Sequence, residues 1–183
     1  MTTGHAFMAM SLDGFVARPD RTVDWLNDYQ DTGEETGFDA FMNSVDGLVM
    51  GRGSFETVLG FGVWPYTKPV MVMSKSMTAA DIPEDLQGKV EITALDPVPL
   101  MAELDARGWS RAYVDGGAVI RSFLRDDLMR SLCVTVVPIL IGDGIRMFGP
   151  LEADRKLTLT GSKVFRNGLV QLTYSTGDEA SPS

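Results

Sequence analysis

Short β-rich runs at residues 6–10, 48–50, 70–73, 90–93 and 112–114 alternate with helical patterns at 34–44, 54–59, 97–107 and 118–125. A strand that passes through a helix before the next strand pairs most readily in parallel. The alternation therefore predicts an α/β domain with a mostly parallel central sheet and helices on both faces. After Arg130 the pattern changes. Residues 132–141, 157–165 and 169–175 read as strands, and Arg166-Asn167-Gly168 between the last two is a hairpin signal, so the sheet is expected to end in antiparallel C-terminal strands. One domain over residues 1–176 accommodates all of this, with 177–183 as a polar, flexible tail.

Charge narrows the function. With 16 basic against 25 acidic residues the chain carries a net charge of −9, so it lacks the general cationic surface that nucleic acid requires. An anionic ligand must be met by a local site. The single cysteine, Cys133, stands between Leu132 and Val134 and reads as a small buried hydrophobe; it allows no internal disulfide, which fits a reducing cytoplasm. No apolar stretch is long enough to span a bilayer, and Met1-Thr2-Thr3-Gly4-His5 lacks the features of a signal peptide, so a cytoplasmic protein is expected. His5 is the sole histidine, placed by this reading at a frayed end before the first strand. Neither a catalytic triad nor a histidine metal site can be built around it.

In open α/β sheets ligands bind beyond the carboxyl ends of the strands. Three loops there carry suitable chemistry. Met50-Gly51-Arg52-Gly53-Ser54-Phe55-Glu56 reads as a strand entering a cationic glycine turn, with Ser54 as N-cap of the following helix. Ser74-Lys75-Ser76 offers hydroxyls and a cation, and Asp115-Gly116-Gly117 offers a second close backbone approach at a helix start. Each alone is an ordinary strand-helix turn. Together they fit an extended anionic ligand such as a dinucleotide.

These segments, with Ala9-Met10-Ser11-Leu12-Asp13-Gly14-Phe15-Val16-Ala17 near the start and Pro138-Ile139-Leu140-Ile141-Gly142-Asp143-Gly144 late in the chain, resemble the dihydrofolate reductase superfamily. The resemblance is greatest to its riboflavin-biosynthesis reductase branch, the RibD C-terminal domain. It implies a dihydrofolate reductase-like fold and an NADPH-dependent reductase of a small heterocyclic substrate, similar to the 5-amino-6-(5-phosphoribosylamino)uracil reductases; dihydrofolate reduction and NADPH binding without turnover are the alternatives. By this resemblance Ala9, Val16 and Ala17 would meet the nicotinamide, and Gly51, Arg52, Gly53 and Ser54 the adenosine phosphates. Ser74 and Lys75 would lie near the adenosine 2′-phosphate, and Gly116, Gly117, Ala118 and Val119 at the pyrophosphate. The branch also implies a homodimer.

Reduction of a C=N or C=O bond needs a proton at the heteroatom. In folate reductases a carboxylate on the helix before the "MGR" segment serves there, and the same interval back from Gly51 reaches Glu35, with Asp39 one turn further along the same helix face. A solvated acidic helix start is the competing reading. Asp13 is a substrate candidate or a turn-former, Trp25 an aromatic rim or a core residue, and Trp64 a substrate wall or a packed loop residue. Arg18, Arg21 and Arg146 are the cations available for a substrate phosphate.

Overall fold

A computed structural model describes residues 1–29 and 31–177; the expected tail therefore falls, apart from Gly177, outside the described residues. The chain opens with β1 (Thr3–Ser11), β2 (Phe15–Ala17), α1 (Phe38–Ser44), β3 (Gly47–Gly51) and α2 (Arg52–Leu59). It continues through β4 (Val70–Met73), β5 (Val90–Thr93), α3 (Pro97–Ala106), β6 (Arg111–Asp115) and α4 (Gly117–Arg125). β7 (Met129–Val137), β8 (Ile145–Arg146), β9 (Thr158–Val164) and β10 (Val170–Ser175) complete it.

Eight strands form one sheet in the order β5-β4-β3-β6-β1-β7-β10-β9, while β2 and β8 pair separately. From β5 to β7 every neighbour is parallel, and β10 runs antiparallel to both β7 and β9. The chain travels outward from β1 through β3 and β4 to β5, then returns through β6 to β7. Right-handed crossovers require the outward and return legs to lie on opposite faces. So α1 and α2 cover one face, and α3 and α4 the other.

Strand alternation matches this division. Leu48, Met50, Val70, Val72 and Tyr113 pack towards Phe55 of α2 and Phe38 and Phe41 of α1. Their neighbours Val49, Met71, Ala112 and Val114 face Leu100 and Leu104 of α3 and Ile120 and Phe123 of α4. In α4 the apolar residues Val119, Ile120, Phe123 and Leu124 form one stripe, and Arg121 and Arg125 fall outside it. Each fully buried side chain of this kind contributes about 1.5–3 kcal/mol of transfer free energy.

Three local expectations are corrected. The first helix begins at Phe38 rather than residue 34, because Gly37 before it sits at φ 82° in the left-handed region and breaks the helical path. Glu35 thus precedes the helix, and shares no helix face with Asp39. The strand expected over 132–141 leaves the sheet after Val137, where its following residues are drawn instead onto the turn after β1. His5, finally, is not at a frayed end.

His5 lies within β1, 2% exposed, with Nε2 2.9 Å from Thr3 Oγ1 and Nδ1 2.7 Å from Ser131 Oγ. Burial, with the charges of Arg111 and Arg130, pulls its pKa from 6.5 down to about 4. The unfolded chain takes up a proton that the folded chain refuses, so this contribution is complete above pH 6.5 and lost as pH falls towards 4. It amounts to roughly 2–3 kcal/mol. Urea titrations from pH 7 to 4 should show the wild type losing that much more stability than His5→Gln; parallel curves would refute it.

Candidate active site

At the carboxyl ends of β1, β3 and β6, in the middle of the sheet, lies a cavity of about 460 Å³. Met50 pairs with Asp115, so β3 and β6 end level and their glycine loops meet. A Cβ on Gly116 would stand 2.3 Å from Ser54 Oγ, and Gly116 sits at φ 92°. Only glycine permits this approach. The amino ends of α2 and α4 are brought to one wall by it, with backbone N–H groups and positive dipole ends directed alike.

Ser54 departs from its expected role. Helix α2 starts at Arg52 with Gly51 as its N-cap, so Ser54 is the helix's third residue. Its hydroxyl hydrogen-bonds to the Asp115 carboxylate instead of capping.

Asp115 is half-buried and lines the cavity. Tyr113, two residues earlier on the same strand face, places its hydroxyl 3.4 Å from Asp115 Oδ1 while donating to the Phe7 carbonyl at 3.0 Å. Burial pushes the Asp115 pKa up to about 6, against the opposing pull of Tyr113, the Gly116 N–H and Ser54. Burial and the Asp115 charge also raise Tyr66 and Tyr113, so both phenols stay protonated. The cavity therefore holds a carboxyl that exchanges its proton near neutrality and two fixed neutral phenols.

Most expected cofactor residues meet here. Ala9, Val16 and Ala17 line one side, Gly51, Gly53 and Ser54 the α2 end, and Gly116, Gly117, Ala118 and Val119 the α4 end. Arg52, Ser74 and Lys75 lie outside the cavity. Arg52 pairs with Glu56 at 2.5 Å and donates to Ser76 Oγ at 3.2 Å, while Lys75 pairs with Asp96 at 2.9 Å. Ser74 Oγ accepts the N–H groups of Ser76 and Met77.

The acids expected from sequence do not reach the cavity. Glu35 is exposed and accepts the Gly37 N–H at 3.3 Å, and Asp39 is exposed on the first turn of α1. Asp13 accepts from Ser11 Oγ at 2.6 Å, from Gly142 N at 2.8 Å and from Ile141 N at 3.3 Å. It clamps the turn after β1 to the loop after β7 and so holds β2 against β8. Trp25 is 3% exposed and packs with Val137, Phe165 and Leu169. Trp64 stacks edge-on between Phe55 and Tyr66, behind the cavity wall.

Sequence reading gave no lining role to the side chains of Asp115 and Tyr113; Arg21, expected as a cation for a substrate phosphate, and Tyr66, beside the expected wall residue Trp64, line the cavity as well. The i, i+2 spacing of Tyr113 and Asp115 on a strand was the one available signal. Arg21, at φ 72°, is held by Glu56 at 2.6 Å.

Fold and cavity together define an α/β protein of the dihydrofolate reductase-like type, with a glycine cradle at its central strand ends. Residues 3–171 match the RibD C-terminal domain family, and the chain belongs to that family. It is 39% identical to a putative riboflavin biosynthesis protein from Shewanella sp. PV-4, with a TM-score of 0.89 over 96% of this chain and 99% of that one. It is 31% identical to the uncharacterized protein YwjB of Bacillus subtilis, over 92% of this chain and 94% of that protein. A diaminohydroxyphosphoribosylaminopyrimidine deaminase/5-amino-6-(5-phosphoribosylamino)uracil reductase from Thermotoga maritima shares the fold at 12% identity and TM-score 0.72. There the match covers 96% of this chain but 57% of the Thermotoga chain. Among the described residues no helix is long and apolar enough to cross a membrane.

Proposed function

We propose that this protein is an NADPH-dependent reductase of a small heterocyclic substrate. The observation that carries the reading is the cavity itself, where a glycine cradle, an apolar wall and one half-buried carboxyl share a single space. The cradle suits the cofactor, because a side chain at Gly116 would fill the gap between the two loops. Gly51, Gly53, Gly116 and Gly117 would hold the phosphates through backbone N–H groups and helix ends. Ala9, Val16 and Ala17 would pack against the nicotinamide. Arg52, spanning to Ser76, is the cation suited to a 2′-phosphate, with Lys75 beside it.

When bound, the cofactor supplies a hydride and leaves oxidised. Reduction of a C=N or C=O bond by such a hydride would need a proton at the heteroatom. Asp115 is the donor inside the cavity, reprotonated from solvent after each cycle. Tyr113 and Ser54 hold its carboxyl in place.

The test is calorimetric titration with NADPH followed by NADPH oxidation in the presence of heterocyclic acceptors. Binding in the micromolar range with acceptor-dependent oxidation is expected. Absence of NADPH binding would end the reading; binding without any turnover would favour a nucleotide-binding module.

A further inference from the structure

Resting on the reductase reading, we propose that Tyr66 sets substrate specificity: its hydroxyl donates a hydrogen bond to a ring carbonyl oxygen or ring nitrogen of the heterocycle, and so orients the ring against Asp115. Ser54, Thr57, Tyr66 and Tyr113 are the hydroxyl-bearing residues that line the cavity. Each hydroxyl has one proton to donate. Ser54 gives its hydrogen bond to the Asp115 carboxylate, Thr57 to the Gly53 carbonyl at 2.9 Å, and Tyr113 to the Phe7 carbonyl at 3.0 Å. The Tyr66 hydroxyl makes no hydrogen bond to another described residue. It is therefore the one hydroxyl among these whose donor is open to a ligand.

That donor is also held still. The Tyr66 ring meets Trp64 edge-on at a centroid distance of 5.3 Å, and Trp64 meets the fully buried Phe55 of α2 at 5.9 Å. A tyrosine has two side-chain torsions, so packing that fixes its ring also fixes the hydroxyl. Burial first, and then the nearby Asp115 charge, raise the phenol's pKa well above its ordinary value. The proton accordingly stays on Tyr66 through the neutral range, beside a carboxyl that exchanges its own. The two groups divide the work: Asp115 supplies a proton to the reacting atom, and Tyr66 keeps its proton and holds a second atom of the ring. A heterocycle with no acceptor atom at that place would leave the phenol unpaired and bind less well.

The experiment uses the full chain and uracil, a flat heterocycle whose two ring carbonyls can be labelled isotopically one at a time. NADPH binding is first established by calorimetry, and the protein is then loaded with NADP⁺, which has no hydride to transfer. Uracil should bind this complex, and the infrared stretch of one labelled carbonyl should lie at lower wavenumber in the wild type than in Tyr66→Phe, which keeps the ring against Trp64 and removes only the hydroxyl. In Tyr113→Phe the same band should stay at its wild-type position, since that hydroxyl serves the Phe7 carbonyl. The Kd for uracil should rise about 3–10-fold in Tyr66→Phe, the worth of one neutral hydrogen bond, with the NADP⁺ Kd changed by less than about twofold. Superimposable carbonyl bands in wild type and Tyr66→Phe would overturn the proposal whatever the affinities, because a packing role leaves the ligand's carbonyl stretch where it was. So would an equal loss of uracil and NADP⁺ affinity in that variant, or no uracil binding at about 10 mM with the nucleotide bound. Failure of NADPH to bind at all is a separate result and falls on the reductase reading instead.

Discussion

Asp115→Asn is expected to lower turnover by about 10²–10⁴-fold and, at pH 7, to leave the protein more stable than the wild type. Asparagine keeps the shape and can still bond Ser54 and Tyr113, but it has no proton to give. Stability follows from the sign of the pKa shift. The carboxyl titrates near 6 in the folded chain against 3.8 ordinarily, so the folded state binds the proton more tightly. Wild-type stability therefore falls as pH rises from 3.8 to 6 and stays reduced above that, by roughly 1–3 kcal/mol. Asparagine escapes this loss. The same titration shapes the rate: turnover should decline as pH rises through about 6, moving upward when the cofactor's phosphates come near and further disfavour the anion. Activity and urea unfolding measured on the same preparations from pH 5 to 8 check both halves. Turnover within threefold of wild type would remove Asp115 as the proton donor.

Gly116→Ala should abolish measurable NADPH binding, raising Kd by more than about 100-fold, because two costs coincide at one position. A β-carbon at φ 92° is strained in itself, and this one would stand 2.3 Å from Ser54 Oγ, inside any tolerable contact. The loops after β3 and β6 must then separate, which misdirects the N–H groups of both helices at once. Stability should fall by about 2–4 kcal/mol as well. The double variant Gly116→Ala/Ser54→Ala separates the causes. Partial recovery of stability identifies the hydroxyl contact, whereas none leaves backbone strain as the whole effect.

Much of the fold was legible because it follows from local pattern. Alternating strands and helices implied the parallel sheet, and Arg166-Asn167-Gly168 implied the closing hairpin that joins β9 and β10. The meeting of the glycine loops was legible too, since Gly51, Gly53, Gly116 and Gly117 follow apolar strands at equivalent ends, although each loop alone reads as an ordinary strand-helix turn. What the sequence concealed depended on distant partners. Asp13 could be read as a turn residue, yet Ile141 and Gly142, which complete its role, lie 128 and 129 positions away. Arg18 and Arg21 showed no partner in the sequence until Asp24 and Glu56 were seen beside them. Asp115 looked like an accessory to two glycines because its pKa is set by burial, which composition around it does not reveal. Glu35 drew attention through an interval counted along the chain, and Gly37 removes the helix that the interval assumed.

The position of β1 also bears on how the molecule forms. Its two neighbours, β6 and β7, come from residues 111–115 and 129–137, so the first strand synthesised waits for about three fifths of the chain before one edge is paired and about three quarters before both are. Loop closure over such separations is slow, and a strand with both edges open is prone to pair with other chains. On the ribosome, then, no cofactor can assist early folding, because two of the three strands that frame its cradle have not yet met. A nucleotide bound in the proposed cradle would stabilise only the finished sheet.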